Sequence, residues 1–315
     1  MFRKFLSVTI CCFLLFGAKS QSDPDLNHRW LTRLDHNPAT VERSEYMVMN
    51  LLGRYQWTGF KGAPASQWFD ISGYMDKINS GIGLTFLHDQ IGYMQTVNVK
   101  LLYSFHFPLS NKAFLALGIS GGVISKGINL SAVDPENPND PQLNLLEKSQ
   151  TVPDFDFGIK FSHSLVDVGI SITHLNHIGS RIDMIKLTTN NNYFYTLFHI
   201  KANNRLEICP GISVVNRDNL FSVEVHSMFN FKADRKKDIF WTGLTYKMNL
   251  NEATVLAGVN ISQQFKIGYA YEFNFSDIRK TSYGSHELML QYKIQVAKGP
   301  PCDSYGAAIR SKRRR

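Results

Sequence analysis

Apolar and polar residues alternate in strand-length stretches between residues 46 and 296. The clearest stretch, residues 97–107, has an apolar or aromatic residue at every odd position and mostly polar residues at the even ones. The same alternation recurs at residues 265–275 and 288–296. Because successive side chains of a strand point to opposite faces, each stretch predicts a strand with one apolar and one polar face.

This alternation predicts fourteen strands, with bounds accurate to about two to four residues. They cover residues 46–54, 66–75, 80–88, 94–107, 113–128, 152–162, 165–174, 193–201, 205–215, 219–230, 238–248, 253–262, 265–275 and 284–296. Many have about the 9–11 residues with which a tilted strand crosses a bilayer. A soluble sandwich would bury the apolar face, whereas a membrane barrel turns it to lipid and directs the polar face to the lumen.

The lengths of the links between these strands favour the membrane barrel. If both termini are periplasmic, the links at residues 56–65, 129–151 and 175–192, which are the longest, all face outward. The links toward the periplasm are short, except for a medium one at residues 231–237. Outer-membrane barrels have short periplasmic turns and longer outer loops. We therefore predict an all-β fold, a transmembrane antiparallel β-barrel of about 14 strands.

The two ends of the chain carry signals that differ from those of its middle. Residues 1–20 have a basic start, a short apolar run and a small-residue cleavage signal, so we predict a signal peptide cleaved near Ser20/Gln21. The apolar run is shorter than the ~20 residues of a membrane anchor. Residues 21–45 are polar and precede the first strand, which makes them a candidate lumen plug. Residues 46–296 are predicted to form one outer-membrane barrel domain, and residues 297–315 a basic periplasmic tail.

The net charge of +8 comes from the two ends of the chain, and the barrel domain is close to neutral. A basic balance of this origin is poor evidence for nucleic acid, so no nucleic-acid partner is expected. The tail is either a disordered solvated end or a tether to an acidic partner or to anionic cell-wall groups. Cys209 and Cys302 remain after removal of the leader. They form either one disulfide bond or two free thiols, and the sequence does not decide between these alternatives.

Four short motifs resemble one family. Residues 54–64 read Arg-Tyr-Gln-Trp-Thr-Gly-Phe-Lys-Gly-Ala-Pro. This run resembles the R-x-Q-W-x-G-F-x-G-A-P signature of the PorP/SprF family, outer-membrane proteins of the type IX secretion system and gliding machinery of Bacteroidota. Residues 88–92, 153–158 and 283–287 resemble further stretches of that family. Asn37-Pro38-Ala39 preserves part of the fuller asparagine–proline start of many members.

The resemblance implies a barrel in outer-membrane lipid that assists the export or surface attachment of cargo proteins such as adhesins. It also implies contact with periplasmic type IX secretion components. The motif residues proposed for docking are Arg54, Gln56, Trp57, Gly59, Phe60, Gly62, Pro64, Asp89, Gly92, Asp154, Gly284, His286 and Glu287. The alternative function is a general outer-membrane porin or solute transporter, and a barrel-borne hydrolase is the third.

Each motif also has a purely structural interpretation. The segment 56–65 is either a folded loop that docks cargo or plugs the lumen, or a turn whose aromatic residues anchor at the lipid boundary. Residues 283–287 form either a contact site in the lumen or at the rim, or the start of the closing strand. Asp89 either binds a cation or an arginine in the lumen, or caps a turn.

No catalytic, cofactor or metal site is predicted. His174 and His177 have a spacing that some metal sites use, but no carboxylate lies near them in the sequence. No G-x-S-x-G elbow is present, so the chain is not expected to be an enzyme. The run Gly118–Gly122 lacks the following Lys-Ser/Thr pair of a phosphate-binding loop and is interpreted as strand packing or curvature.

The polar face carries charged residues that the alternation places toward the lumen. Lys100, Lys247, Lys266 and Lys293 share this face with Glu224 and Glu272. A small barrel would pair these charges across a filled lumen, whereas fourteen strands leave room for water or for an inserted segment.

Overall fold

The structure is a computed structural model and describes residues 23–129, 149–175, 181–182, 185–186, 189–217, 220–234 and 237–296. Within these residues, fourteen strands form the wall of a barrel. They are β1 (Tyr46–Tyr55), β2 (Ala65–Met75), β3 (Ser80–Ile91), β4 (Met94–Ser110), β5 (Ala113–Ile128), β6 (Gln150–His163), β7 (Val166–Thr173), β8 (Asn191–Phe198), β9 (Leu206–Arg217), β10 (Leu220–Asp234), β11 (Lys237–Lys247), β12 (Glu252–Asn260), β13 (Phe265–Asn274) and β14 (Ser285–Gln295).

The wall closes on itself through antiparallel pairing. Each strand pairs with its neighbours in the sequence, and β1 pairs with β14 from Tyr46 opposite Gln295 to Tyr55 opposite His286. A closed ring leaves no unpaired strand edge in lipid. The predicted transmembrane barrel is confirmed, and every strand lies within four residues of its predicted bounds.

Three short strands complete the strand inventory of the described residues. Ile200–Lys201 continues β8 after a break at His199 and pairs with β9. Arg181–Ile182 pairs with Ile185–Lys186 in the link before β8.

The two faces of the wall differ as the alternation predicts. On β4, Leu101 is 68% exposed, whereas the adjacent Lys100 is 8% exposed. On β11, Leu244 points outward and Thr245 is buried. The outer face is therefore largely apolar and the inner face largely polar, which is the arrangement that a lipid environment requires.

Long and short links lie at opposite ends of the barrel. At the long-link end, odd-numbered strands are followed by even-numbered ones, and the widest gaps in sequence separate β1 from β2, β5 from β6, β7 from β8 and β13 from β14. The short-link end holds brief turns such as residues 76–79. The expectation of a medium link at residues 231–237 is wrong, because β10 extends to Asp234 and β11 begins at Lys237. Only two residues of the sequence therefore separate these two strands.

Residues 23–45 precede the wall and hold two short helices, a one-turn α-helix at Arg29–Thr32 and a 3₁₀-helix at Pro38–Thr40. Within the described residues, no helix has the length and apolar character needed to cross a membrane. The predicted signal peptide, the basic tail, Cys302 and His177 lie outside the described residues.

Apolar side chains fill part of the interior between residues 23–41 and the wall. Leu26 and Trp30 belong to one buried cluster with wall side chains that point inward. The wall members are Leu52, Trp68, Leu87, Tyr195, Leu197, Cys209, Met228, Trp241, Leu256, Ala270 and Met289. The segment therefore lies inside the barrel.

Candidate functional site: the lumen and the motif loop

Residues 23–41, called here the luminal segment, run through the interior from one end of the barrel to the other. Asp23 contacts His174 and Asn191 at the long-link end, with His174 Nε2 3.0 Å from Asp23 Oδ2. Val41 packs on Gly81 near the short-link end, where an added Cβ would lie 2.4 Å from Val41 Cγ1. The first described residue and Val296 thus lie at opposite ends of the barrel. The two termini, predicted to share one side, are outside the described residues.

Ion pairs fix the luminal segment to the wall near the long-link end. Asp25 accepts from Lys247 Nζ at 2.6 Å and from Arg217 Nη2 at 3.0 Å, and it also pairs with Arg29. Lys247 Nζ lies 2.9 Å from Glu272 Oε2. An unpaired buried charge destabilises a fold, so these ion pairs favour the position of the luminal segment against the wall.

Glu287 joins the luminal segment to the seam where the barrel closes. Its carboxylate accepts from the backbone nitrogens of Asn27 and His28, both at 2.8 Å, and from His28 Nδ1 at 2.7 Å. Arg54 lies directly opposite Glu287 in the β1–β14 register and donates to Glu272 at 2.8 Å. The first and last motifs therefore meet in one buried network.

Aromatic and charged contacts hold the middle of the luminal segment. The Trp30 ring stacks on His226 with centroids 3.6 Å apart, and its Nε1 donates to Glu224. Arg33 Nη1 lies 2.9 Å from Asp167 Oδ2. Both side chains are largely buried, so the two opposite charges compensate each other.

Glycines of the wall let the backbone of the luminal segment approach closely. Asn37 Nδ2 donates to the Ile159 carbonyl at 3.2 Å. A Cβ at Gly118 would lie 2.2 Å from Ala39 N, and one at Gly158 would lie 2.1 Å from Asn37 Oδ1. The glycine run on β5 thus serves close packing, as predicted, and its partner is the Asn37-Pro38-Ala39 motif.

Asp154 belongs to a second charged network, on β4 and β6. It accepts from Asn98 at 2.8 Å and lies 2.9 Å from Lys100 Nζ. His174 Nδ1 lies 2.8 Å from the same carboxylate. The expectation that His174 has no carboxylate nearby is wrong, because β6 brings Asp154 and Asp156 to it from a distant part of the sequence.

The first motif continues into the link between β1 and β2, residues 56–64, called here the motif loop. Gln56 N donates to the Pro64 carbonyl at 2.9 Å, which closes the loop. Thr58 N donates to the Gly284 carbonyl at 2.8 Å, and Gly92 N to the Gly62 carbonyl at 2.9 Å. Three of the four motifs therefore converge at the long-link end.

Glycines and aromatic residues shape the motif loop. Gly59 has φ 104° and lies against the exposed Tyr283, where an added Cβ would be 2.9 Å from the ring. Trp57 has φ 51°, and its backbone nitrogen donates to Ser285 Oγ at 3.2 Å. Phe60 is 39% exposed. The loop is thus a folded cap that presents aromatic surface at this end.

Two motif residues lie elsewhere than their sequence context suggests. Asp89 was expected either to bind a cation or an arginine or to cap a turn. It lies instead within β3, with its buried carboxylate accepting from Ser66 Oγ at 2.6 Å. His286 points to the outer face, where its Nδ1 lies 2.7 Å from the Tyr269 hydroxyl.

Comparison with known families decides where this architecture belongs. The model of the type IX secretion system membrane proteins PorP/SprF matches residues 18–292. The chain belongs to the PorP/SprF family. As a PorP/SprF protein with a closed transmembrane barrel, it is an outer-membrane component of type IX secretion. No curated protein matches the sequence.

Solved structures share the barrel fold with this PorP/SprF protein. The CymD monoaromatic hydrocarbon channel aligns with a TM-score of 0.53 and 8% identity, covering 88% of this chain and 94% of that chain. The Ralstonia pickettii toluene transporter TbuX aligns with a TM-score of 0.52 and 9% identity, covering 83% and 92%. At this identity the likeness extends to the fold alone.

Sequence reasoning selected residues 21–45 of this PorP/SprF protein as a possible plug, but it did not identify the residues that attach the luminal segment to the wall. Asp25, His28, Trp30 and Arg33 make its main contacts. The available signal was the presence of large apolar residues in a mostly polar stretch, which indicates burial; they are Leu26, Trp30, Leu31, Leu34 and Val41.

Proposed function

We propose that this barrel assists the export or surface attachment of cargo proteins by binding them, rather than by conducting solutes through its lumen. The observation that carries the proposal is the luminal segment, which is attached to the wall at both ends and in the middle. A diffusion porin requires a water-filled passage. A lumen occupied by ion pairs and buried aromatic side chains favours a plugged barrel.

The long-link end, in this proposal, faces the cell exterior and carries the cargo contacts. The motif loop presents Phe60 there, beside Tyr283, which is 78% exposed. Large aromatic side chains are enriched at the energetic centres of protein interfaces. The folded loop gives them a fixed position, because its backbone is hydrogen bonded to residues near the start of β14.

The short-link end then faces the periplasm and contacts other secretion components. The proposed signal peptide directs export, and the proposed tail after β14 extends into the periplasm with its excess of arginine and lysine. Such a cationic tail would attract an acidic partner in a salt-dependent way. The barrel acts without catalysis in this account.

The test is deletion of the gene followed by quantitative comparison of surface and medium proteins. Loss of adhesin-type proteins from the surface, restored by the wild-type gene, is the expected result. A tagged barrel purified from gently solubilised outer membranes should carry periplasmic secretion components with it. An unchanged surface and no associated secretion components would contradict the proposal, whereas a selective defect in solute uptake would favour a porin.

A further inference from the structure

Three side chains with metal-ligating atoms meet on the inner wall near the short-link end. Cys209 Sγ lies 3.7 Å from His199 Nδ1, and Glu207 Oε1 lies 4.0 Å from the same nitrogen. The three ligand atoms all lie within 4.8 Å of one another. His199, Glu207 and Cys209 are each at most 4% exposed. The cluster adjoins the luminal segment, because Asp167, which pairs with Arg33 of that segment, also lies 3.6 Å from His199 Nε2.

The strand geometry explains why these residues meet. Glu207 and Cys209 are two residues apart on β9, so both point to the lumen. His199 lies at the break after β8, where its backbone nitrogen donates to the Leu165 carbonyl at 2.9 Å. The imidazole points inward because His199 continues the alternation of Tyr193, Tyr195 and Leu197, whereas Phe198 and Ile200 on either side of it are exposed.

One oxygen of Glu207 is buried without a hydrogen-bond partner in the described structure. Lys232 Nζ donates to Glu207 Oε2 at 2.8 Å, but Oε1 receives no hydrogen bond. Leaving a buried acceptor unsatisfied costs about 1–3 kcal/mol, and more for a charged group. Because Oε1 lies beside the His199 nitrogen and near the Cys209 sulfur, a cation between the three atoms would satisfy it.

We propose that His199, Glu207 and Cys209 bind one transition-metal ion, for which zinc is the best match. Nitrogen, sulfur and carboxylate oxygen are the ligands that Zn²⁺ takes in proteins, at about 2.0–2.3 Å from the ion. A tetrahedral site with those bond lengths holds its ligand atoms roughly 3.3–3.6 Å apart, so the three side chains complete it by moving closer together by up to about 1 Å. Binding displaces the thiol proton of Cys209 to solvent, and the fourth coordination position stays open.

A carboxylate behind the histidine supports this assignment. Asp167 Oδ2 lies 3.6 Å from His199 Nε2, on the side of the ring away from Cys209. A ligating histidine commonly directs its second ring nitrogen to a carboxylate, which fixes the orientation of the ring. Asp167 would hold His199 with Nδ1 directed at the ion.

The other cluster of possible ligands has no comparable need for an ion. Asp154, Asp156 and His174 also lie close together. There the Lys100 ammonium already sits 2.8 Å from both oxygens of Asp156 and 2.9 Å from Asp154. All four carboxylate oxygens of Asp154 and Asp156 therefore have hydrogen-bond partners, whereas Glu207 Oε1 has none, which leaves the His199 site as the one to test.

Cobalt titration of the detergent-purified mature protein, first stripped of metal with a chelator, tests the proposal. Co²⁺ bound by a thiolate gives an intense charge-transfer band, and stoichiometric Zn²⁺ should abolish it. Cys209→Ser should eliminate the band, whereas the matched control Cys302→Ser should retain it. Glu207→Gln should weaken Co²⁺ binding at least 10-fold. Absence of the band in the wild type, or its persistence in Cys209→Ser, would overturn the proposal.

Thiol protection provides a test that needs no variant and so does not depend on the folding of mutants. The rates at which a small alkylating reagent modifies Cys209 and Cys302 are compared by mass mapping, with and without Zn²⁺. We expect Zn²⁺ to slow modification of Cys209 at least 10-fold and to leave Cys302 unchanged. Equal rates for Cys209 with and without Zn²⁺ would overturn the site.

Discussion

His28 and Glu287 meet inside the barrel, with the imidazole Nδ1 2.7 Å from the carboxylate Oε1. The same carboxylate accepts from the backbone nitrogens of Asn27 and His28 and faces Arg54 across the β1–β14 seam. A residue before the first strand is thereby bound to the last strand. One side chain therefore contributes both to the β1–β14 seam and to the attachment of the luminal segment.

Replacement of Glu287 by alanine should loosen both the seam and the luminal segment. Removing one partner from a buried charge network costs about 3–5 kcal/mol, because the remaining charge is left uncompensated. We expect a lower thermal unfolding temperature and faster proteolysis within residues 23–41. Glu287→Gln keeps an acceptor and the side-chain shape, and should lose less stability. Wild-type stability of Glu287→Ala would contradict the role given to this carboxylate.

Gly118→Ala should displace the luminal segment from β5. The new Cβ would lie 2.2 Å from Ala39 N and 2.4 Å from the Pro38 carbonyl carbon, and these backbone atoms cannot yield unless the segment moves. Overpacking of this kind costs about 1–3 kcal/mol.

Gly53→Ala on β1 is the matched control for that substitution, because no atom lies within 4 Å of its added Cβ. We expect its thermal unfolding in detergent to match the wild type. If the two variants unfold at the same temperature, the close approach at Gly118 is not part of the native structure.

Acid should weaken the attachment of the luminal segment at Asp23. Burial alone would raise the pKa of Asp23, but the nearby His174, Lys126 and Arg217 hold it below the ordinary value of 3.8. The ionised carboxylate therefore stabilises the folded state above pH 3.8, and this stabilisation is lost as the pH falls toward the lower folded-state pKa. Hydrogen exchange of residues 23–28 should accelerate in that acidic window.

Asp23→Asn is the control for this pH dependence. The variant should exchange faster than the wild type at neutral pH, with less additional change on acidification. An acid response that is identical in the two proteins would assign the effect to other carboxylates.

The motif loop offers a separate test of docking. Phe60→Ala removes a 39% exposed ring, so stability should change by no more than about 0.5 kcal/mol while cargo attachment at the cell surface falls. Phe86→Ala removes a ring of similar exposure, 38%, from the outer wall and should leave cargo attachment unchanged. If Phe60→Ala attaches cargo as well as the wild type does, the docking role is contradicted and the motif loop is only a structural turn.

The wall was predictable because strand alternation is a local property of the sequence. On β4, the outward Leu101 and inward Lys100 follow directly from their positions in the alternating run. Link lengths then fixed the pairing order, since a strand joined by a short turn pairs with its neighbour. The one link that did not fit, predicted at residues 231–237, is shorter than predicted because β10 extends to Asp234.

The partners of the inward charges were only partly predictable. Alternation assigns a residue to a face but does not give its position around the ring. Lys247 does pair with Glu272, two strands away. Lys100, which shares the inner face with Glu224, instead pairs with Asp154 and Asp156 of β6. Only the three-dimensional structure of the closed wall shows which charged residues lie close to one another.

The contacts of residues 23–41 were beyond sequence reasoning for a similar reason. Nothing in the run Gly118–Gly122 indicates that its first glycine faces Ala39, because the two are far apart in the chain. Likewise, alternation assigns His199, Glu207 and Cys209 to the inner face but does not show that their ligand atoms meet there. Such sites arise where distant segments pack, and their residue types alone are unremarkable.

Single-channel conductance in a planar bilayer tests the central claim most directly, namely that the luminal segment closes the barrel. The wild-type protein should show no stable open pore, and deletion of residues 21–41 should produce a persistent ion current. A parallel check of heat-modifiable gel migration should show that the shortened barrel is folded. A steady large conductance in the wild type, or no rise in current from the folded deletion variant, would contradict the account.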